Sequence, residues 1–369
     1  MPKGISVVIL THNRVKYIQR LFASLSEESK SDGERIHLEV IVVDDSHIRE
    51  RQVIENLCRQ FGYSFYFFKG NLSVKRNFGV EKARNEVILF IDSDCVVVPG
   101  LLQEHINSYQ EEFIGGVLGI TNFVGERSWG WKVIEKTPFI IGFSFPQRTD
   151  YAPWGPCTNI SFKKAILEQI GGFDTNFSYS GEDVDLGVRI NKAGYKIKCN
   201  SNAIVNHTTE TWSNLFLSAK KFFRWGRTDF HILRKHPQLT SIEFPKFVTI
   251  LMLVVLICLA EIFTGHTDIA VKTMGIWIPS ALLLEATFKV ADARGKPLLI
   301  FSELLVIFLN LTFEAGAAFE SLRRGSLSML YRKILYSPGQ LTVEWDSRIV
   351  RAWGIIIALF LTLVVIYAT

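Results

Sequence analysis

Glu86-Val-Ile-Leu-Phe-Ile-Asp-Ser-Asp94 is the stretch that decides the fold. Residues 87–91 form a short, unbroken apolar run containing β-branched side chains, the pattern of a strand buried on both faces of a parallel sheet. Such a strand delivers its last side chains to the carboxyl edge of the sheet, where open α/β folds bind their ligands. Here those side chains are Asp92, Ser93 and Asp94, two carboxylates separated by one small residue. Oxygen donors of this kind suit Mg²⁺ or Mn²⁺, which binds one or two carboxylates together with substrate phosphates. Taken alone, Asp-Ser-Asp is also what ends a strand in an ordinary turn.

The flanking sequence repeats the theme. Residues 5–10 and 38–43 read as further buried strands, and 64–68 as a short aromatic one. Helical spacing over 15–29 and 49–61 separates them, and residues 70–79 read as a loop entering a third helix. Strands alternating with helices predict an α/β domain with a mostly parallel central sheet. The first strand runs into Thr11-His12-Asn13-Arg14 and the second into Asp44-Asp45-Ser46, so three polar clusters converge on one sheet edge with Asp92 and Asp94.

Composition narrows the class. The chain has 369 residues, of which 48% are hydrophobic, and its apolar residues concentrate beyond about position 240. Five scattered cysteines without C-x-x-C spacing exclude a zinc site or a disulfide framework and point to a reducing compartment. Cys95 is read as a small packed residue rather than a ligand. A formal charge of +5 without a basic, aromatic-laced stripe excludes nucleic acid as partner. Met1-Pro-Lys-Gly4 leads straight into a strand with no export signal, so the first part is expected in the cytosol.

The succession Ser-Val-Val-Ile-Leu-Thr-His-Asn-Arg, Val-Val-Asp-Asp-Ser, Lys-Arg-Asn-Phe-Gly and Phe-Ile-Asp-Ser-Asp resembles the nucleotide-binding half of family 2 inverting glycosyltransferases. Asn159-Ile-Ser-Phe-Lys, Ile170-Gly-Gly-Phe-Asp174, Gly181-Glu-Asp-Val-Asp-Leu-Gly-Val-Arg189 and Ala193-Gly-Tyr195 resemble that family's acceptor-side motifs, so the likeness covers about residues 4–230. The resemblance implies the GT-A fold, a nucleotide-sugar donor (UDP-linked by preference), and Mg²⁺ or Mn²⁺. It assigns Asp45 to the nucleobase, Arg76 to the nucleotide or its phosphates, Asp92 to the ribose or a metal-bound water, and Asp94 to the metal. Thr11, Asn13 and Arg14 share the nucleotide edge; Lys75 is read as a solvated helix charge. The acid that often follows Asp94 is absent. His207 is either a third metal ligand or a structural histidine. Asp183 is the implied general base, with Glu182 orienting either the acceptor or the adjacent loop. Trp154, beside a Gly-Pro turn, suits a sugar platform or simple packing. Lys221-Phe-Phe-Arg-Trp-Gly-Arg227 resembles the Gln-x-x-Arg-Trp box of processive relatives, with Lys221 in place of Gln; Arg224, Trp225 and Arg227 are candidate diphosphate contacts.

These readings divide the chain into a catalytic domain over 1–240 (nucleotide half 1–98, acceptor half 99–240) and a membrane domain over 241–369. Stretches 247–263, 270–288 and 352–369 approach the roughly 20 apolar residues a spanning helix needs. Stretch 298–319 carries Glu303 and Glu314, and a simple span there would export the six basic residues of 321–351, against the positive-inside rule. It is therefore expected not to cross fully, leaving 321–351 on the cytosolic face and the site beside a lipid-linked or membrane-delivered acceptor. Two other classes stand against this reading: a sugar nucleotidyltransferase, which would want a glycine-rich phosphate loop after the first strand, and a membrane-bound scaffold that binds nucleotide without turnover.

Overall fold

The structure, a computed structural model, describes residues 2–31, 36–242, 246–292 and 300–335, with positions 354, 356, 357 and 360–364. It divides into two compact units, Met1–Trp131 with Pro138–Ser213, and Lys132–Thr137 with Asn214–Thr369.

In the first unit, strands β1 (Gly4–Thr11), β2 (His37–Asp44), β3 (Ser64–Phe67) and β4 (Val87–Asp92) alternate with helices α1 (Val15–Ser31), α2 (Ile48–Phe61) and α3 (Leu72–Lys82). These strands pair in parallel in the order β3-β2-β1-β4, the doubly wound half expected of the sequence. Strand alternation sends Ile5, Val7 and Ile9 to one face, against Ile18, Phe22 and Leu25 of α1. Val8, Ile88 and Phe90 go to the other face, with Phe162 and Phe173. The second half continues with β5 (Cys95–Val97), α4 (Leu101–Asn107), β6 (Ile114–Val124) and α5 (Trp129–Ile134). β7 (Tyr151–Ala152), β8 (Asn159–Lys163), α6 (Lys164–Gln169), α7 (Glu182–Lys192) and β9 (Lys196–Thr208) follow. Here pairing is mixed: β8 runs antiparallel to both β4 and β6, β5 antiparallel to β9, and β6 parallel to β9.

Two registers build the functional edge. Leu10 stands opposite Asp92 and Thr11 opposite Asp44, so the ends of β1, β2 and β4 are level. Cys95 stands opposite His207, which lies inside β9.

The second unit begins earlier than position 240. α8 (Leu215–Lys235) packs with α11 (Ile300–Arg323), after α9 (Phe247–Phe263) and α10 (Thr267–Asp292). The two helices cross where Gly226 faces Gly316. A Cβ on Gly226 would land on the Phe313 carbonyl oxygen, and one on Gly316 on the Phe223 carbonyl oxygen. Only glycine lets the backbones approach so closely, and that crossing binds α8 to the C-terminal helices. α9 and α10 form a hairpin around Ile250, Val254, Cys258, Ala270 and Trp277. Of the stretch expected over 298–319, the part from Ile300 onward is one continuous helix, and Ser302–Arg323 is the segment among the described residues long and apolar enough to cross a membrane. Its acids have partners: Lys136 Nζ lies 3.0 Å from Glu303 Oε1, and Glu314 Oε2 accepts the Val248 N–H at 3.2 Å. The latter satisfies a donor that the first turn of α9 would otherwise leave open. After α12 (Ser328–Tyr331), β11 (Arg332–Ile334) pairs antiparallel with β10 (Thr240–Ile242). Most of 352–369 lies outside the described residues.

Candidate active site

The nucleotide edge is a hydrogen-bonded lattice between the loops after β1 and β2. Asn13 adopts a left-handed backbone (φ 54°), unusual for a side-chain-bearing residue but tolerated by Asn. In that pose its N–H donates to Ser46 Oγ (2.7 Å) while its Oδ1 accepts from the His47 N–H (3.0 Å). The adjacent aspartates then take different roles. Asp44 is fully buried and spent on Ser46, whose hydroxyl and N–H it accepts. Asp45 is partly open, bonded to His12 Nδ1 at 3.1 Å and to Lys75 Nζ at 2.9 Å. Lys75 is thus a buried counter-ion and not the solvated helix charge the sequence indicated. Thr11 Oγ1 is buried at the same edge without a hydrogen bond.

Asp94 sits at the centre of a second cluster. Its Oδ2 receives Arg14 Nη1 (2.7 Å) and the Thr211 hydroxyl (2.9 Å). Its Oδ1 is buried with no hydrogen bond. His207 Nε2 lies 3.3 Å from that oxygen in a geometry that does not make a hydrogen bond. On the other side of the ring Nδ1 lies 2.8 Å from the Thr208 carbonyl, which only accepts, so Nδ1 carries a proton and Nε2 is the atom turned to Asp94. Nε2 and the unsatisfied Oδ1, facing each other in a buried place, call for a proton or a cation between them. With the buried Cys95 Sγ, these ligand atoms fall within 4.8 Å of one another, a donor set that fits a divalent ion. Cys95, set aside in the sequence as a packing residue, belongs to this group. Burial opposes ionisation of Asp94, yet His207, Arg14 and Thr211 outweigh it and hold its carboxyl well below the usual range. Asp92 accepts the Thr158 hydroxyl at 2.6 Å. Thr158 reaches it because Ile91 pairs with Asn159 across β4 and β8, a long-range pairing without a local sequence signal.

Gly181 opens α7 in the left-handed region (φ 81°) and turns the chain so that Glu182 and Asp183 occupy the first helical turn. Glu182 is buried and ion-paired with buried Arg76. Arg76, assigned from the sequence to the nucleotide, is directed at Glu182 in this structure. Asp183 is half-buried and accepts the Val184 N–H at 2.9 Å. Burial and the neighbouring Glu182 charge push its carboxyl up to about 7, with Arg76 counteracting. The Cys157 thiol, which the sequence reading left unassigned, feels Arg76, Asp183, Glu182 and Asp92 together, though burial dominates in raising it. Asp185 pairs with Arg189, whose guanidinium also donates to the Ile170 and Gly172 carbonyls and so fastens the Gly-Gly-Phe-Asp loop to α7. Half-buried Trp154 packs its ring against Phe145 at 5.5 Å. Arg224, Trp225 and Arg227 lie on α8 in the second unit, where Arg227 pairs with Glu320.

Comparison with known proteins matches the glycosyl transferase family 2 profile to residues 6–171. The chain carries a glycosyl transferase family 2 domain. Within it lie the Asp45, Asp92–Asp94 and Asn159 segments; Asp183 and His207 fall beyond it. The O-antigen biosynthesis protein RfbC of Myxococcus xanthus is 24% identical over 56% of the chain, and the chain spans 17% of that protein's length. The glucosyl-dolichyl phosphate glucuronosyltransferase of Haloferax volcanii is 23% identical over 55% of the chain and 68% of its own. The mannosyltransferase PcManGT of Pyrobaculum calidifontis, solved with GDP-Man and Mn²⁺, superimposes with a TM-score of 0.53 at 16% identity, covering 84% of this chain and 86% of its own. The shared architecture is the GT-A fold that the motifs implied.

Proposed function

We propose that the protein is an inverting glycosyltransferase that moves a sugar from a nucleotide-sugar, UDP-linked by preference, to a lipid-linked or membrane-delivered hydroxyl. The observation that carries this is Asp183: a half-buried carboxylate raised to about 7, next to a Glu182 whose charge is matched by Arg76. A general base works best with a pKa near the working pH. Asp183 accepts the proton of the acceptor hydroxyl as that oxygen attacks the anomeric carbon. The bond from that carbon to the diphosphate oxygen breaks, and the nucleoside diphosphate leaves with the electron pair. Asp94 and His207 would hold the divalent cation, with Cys95 at hand. A cation there offsets the charge that builds on the departing diphosphate. Asp45, aimed by His12 and Lys75, accepts from a ring N–H of the base, while Arg14 orients Asp94.

The membrane side of the reading rests on the second unit. α9 exposes Leu253, Val255, Leu256, Leu259, Ile262 and Phe263 on the face opposite Ile250, Val254 and Cys258, an apolar surface suited to lipid. Its 17 residues reach about 25 Å at 1.5 Å each, close to a bilayer's hydrocarbon core. The name of the Haloferax relative favours a lipid-linked acceptor. The catalytic unit is assigned to the cytosol. The test uses membranes from expressing cells and a panel of UDP- and GDP-sugars, following release of free nucleoside diphosphate. We expect metal-dependent release with one donor, reduced about 10²–10⁴-fold in Asp183→Asn. No release with any donor, or full turnover in the variant, would overturn the reading.

A further inference from the structure

The turn that carries Thr211 to Asp94 is fastened to α1 by one exposed carboxylate. Glu210 opens that turn, Glu210–Trp212, just after β9. Its Oε2 accepts from Lys16 Nζ at 2.7 Å and from the Tyr17 hydroxyl at 3.1 Å, and its Oε1 lies 3.9 Å from Arg20 Nη1. Residues three and four apart share a helix face, so Lys16 and Tyr17 stand beside Arg20 on one side of α1. Glu210 thus gathers three side chains of a helix nearly 200 positions away. The side chains of Lys16 and Glu210 are 59% and 41% exposed, and an exposed ion pair of this kind adds little to stability. What it joins matters more.

Asp94 is held from the same two segments. Arg14, whose carbonyl accepts the Tyr17 and Ile18 N–H groups at the start of α1, reaches Asp94 Oδ2 at 2.7 Å. Thr211, next to Glu210, donates to the same oxygen at 2.9 Å. The contacts close a ring: α1 to Asp94 through Arg14, Asp94 to the turn through Thr211, and the turn back to α1 through Glu210. With both donors on Oδ2, the carboxylate cannot rotate without losing one of them, so Oδ1 stays towards His207 Nε2, 3.3 Å away. Opening the ring at Glu210 removes no buried packing, but it leaves Arg14 and Thr211 without a common anchor.

We propose that Glu210 is a positioning residue for the cation site: it ties the 210–212 turn to α1 and so keeps Asp94 posed with Oδ1 turned to His207. This rests on the reading of Asp94 and His207 as the residues that would hold the ion. Outer partners of metal ligands commonly change metal affinity about 10–100-fold. The full chain, purified in a neutral maltoside detergent, is titrated with Mn²⁺ alone. Free ion is followed by electron paramagnetic resonance, and the unfolding midpoint is recorded without metal. Glu210→Ala is expected to weaken Mn²⁺ binding about tenfold while the metal-free midpoint moves by no more than about 2 °C. Lys16→Ala opens the same contact from the other side and serves if Glu210→Ala folds poorly. It should also weaken binding, whereas a mere change of charge near the ion would make loss of a lysine strengthen it. The double variant Lys16→Ala/Glu210→Ala should bind as Glu210→Ala does, since partners in one contact are not additive. Glu55→Ala, which removes an exposed ion pair with Arg59 on α2, should leave Mn²⁺ binding unchanged. Unchanged affinity in Glu210→Ala, stronger binding in Lys16→Ala, or a double variant whose loss is the product of the two single losses overturns the positioning role. So does a loss of affinity that comes with a larger fall in the midpoint. Mn²⁺ binding that is absent from the unaltered protein, or undiminished in Asp94→Ala, refutes the cation site itself, a separate outcome.

Discussion

Asp183 permits a prediction with two independent readouts. With its carboxyl near 7, about 90% of the protein carries the active base at pH 8, about 10% at pH 6 and about 1% at pH 5. Transfer should therefore fall roughly tenfold for each pH unit below 7, whereas an aspartate at its ordinary 3.8 would stay ionised and give a flat profile. Glu182 is among the charges that raise Asp183, and it also occupies Arg76, the cation that lowers it. Glu182→Gln removes the first effect and frees the second while keeping an acceptor for Arg76, so the acid limb should move to lower pH. Linkage gives the other readout. A carboxyl raised in the folded state costs stability above its unfolded pKa, increasingly so until pH passes the folded value. At pH 8 that cost is fully present, so Asp183→Asn should unfold at a higher temperature than the unaltered protein while losing transfer. The assay is nucleoside diphosphate release between pH 5 and 8.5, with unfolding midpoints measured on the same preparations. A flat profile, an acid limb unmoved in Glu182→Gln, or an Asn variant that is inactive because it is destabilised would refute the base assignment.

Asp94→Ala should abolish Mn²⁺ binding, followed by the electron paramagnetic resonance signal of the free ion, because the unsatisfied Oδ1 is removed; unchanged binding would place the metal elsewhere. His105 is buried between Ser161 and Asn159, and burial lowers its pKa to about 4. The unfolded chain takes up a proton below about 6.5 while the folded chain does not, so stability should fall by about 2 kcal/mol from pH 7 to pH 5. The unfolding midpoint should drop accordingly, and less steeply in His105→Gln. For topology, a cysteine at Ser326 should resist an impermeant thiol reagent on intact cells, and labelling from outside would return 298–319 to an ordinary span.

The legible parts of this chain are those whose cause is local. The buried strands of the nucleotide half declare themselves by apolar runs, and the structure gives 37–44 and 87–92 within a residue of expectation. The acids at their ends are then positioned by register alone. What the sequence hides is choice among partners. Nothing near Arg76 announces Glu182, 106 residues away, and phosphate would have satisfied the same guanidinium. Nothing near position 214 announces that α8 belongs with the C-terminal helices, since the signal is a pair of glycines 90 positions apart, Gly226 and Gly316, each lying against the backbone of the other helix.

The Lys75-Arg76-Asn77-Phe78 run shows how far a motif can be pushed once its helix is known. Consecutive residues on an α-helix point about 100° apart, so four in a row sample nearly the whole circumference. In α3 each of the four meets a different structure. Lys75 takes Asp45 of the nucleotide edge, and Arg76 takes Glu182 of the catalytic turn. Asn77 bonds both backbone groups of Phe173, and Phe78 stacks on Phe68 at 4.3 Å. A helix that exposed one face would tolerate change at one of these positions. This one is enclosed by the Asp45 edge on one side and the loop leading to Asp183 on the other, so the base recognition and the proton transfer proposed here depend on the same turn of backbone.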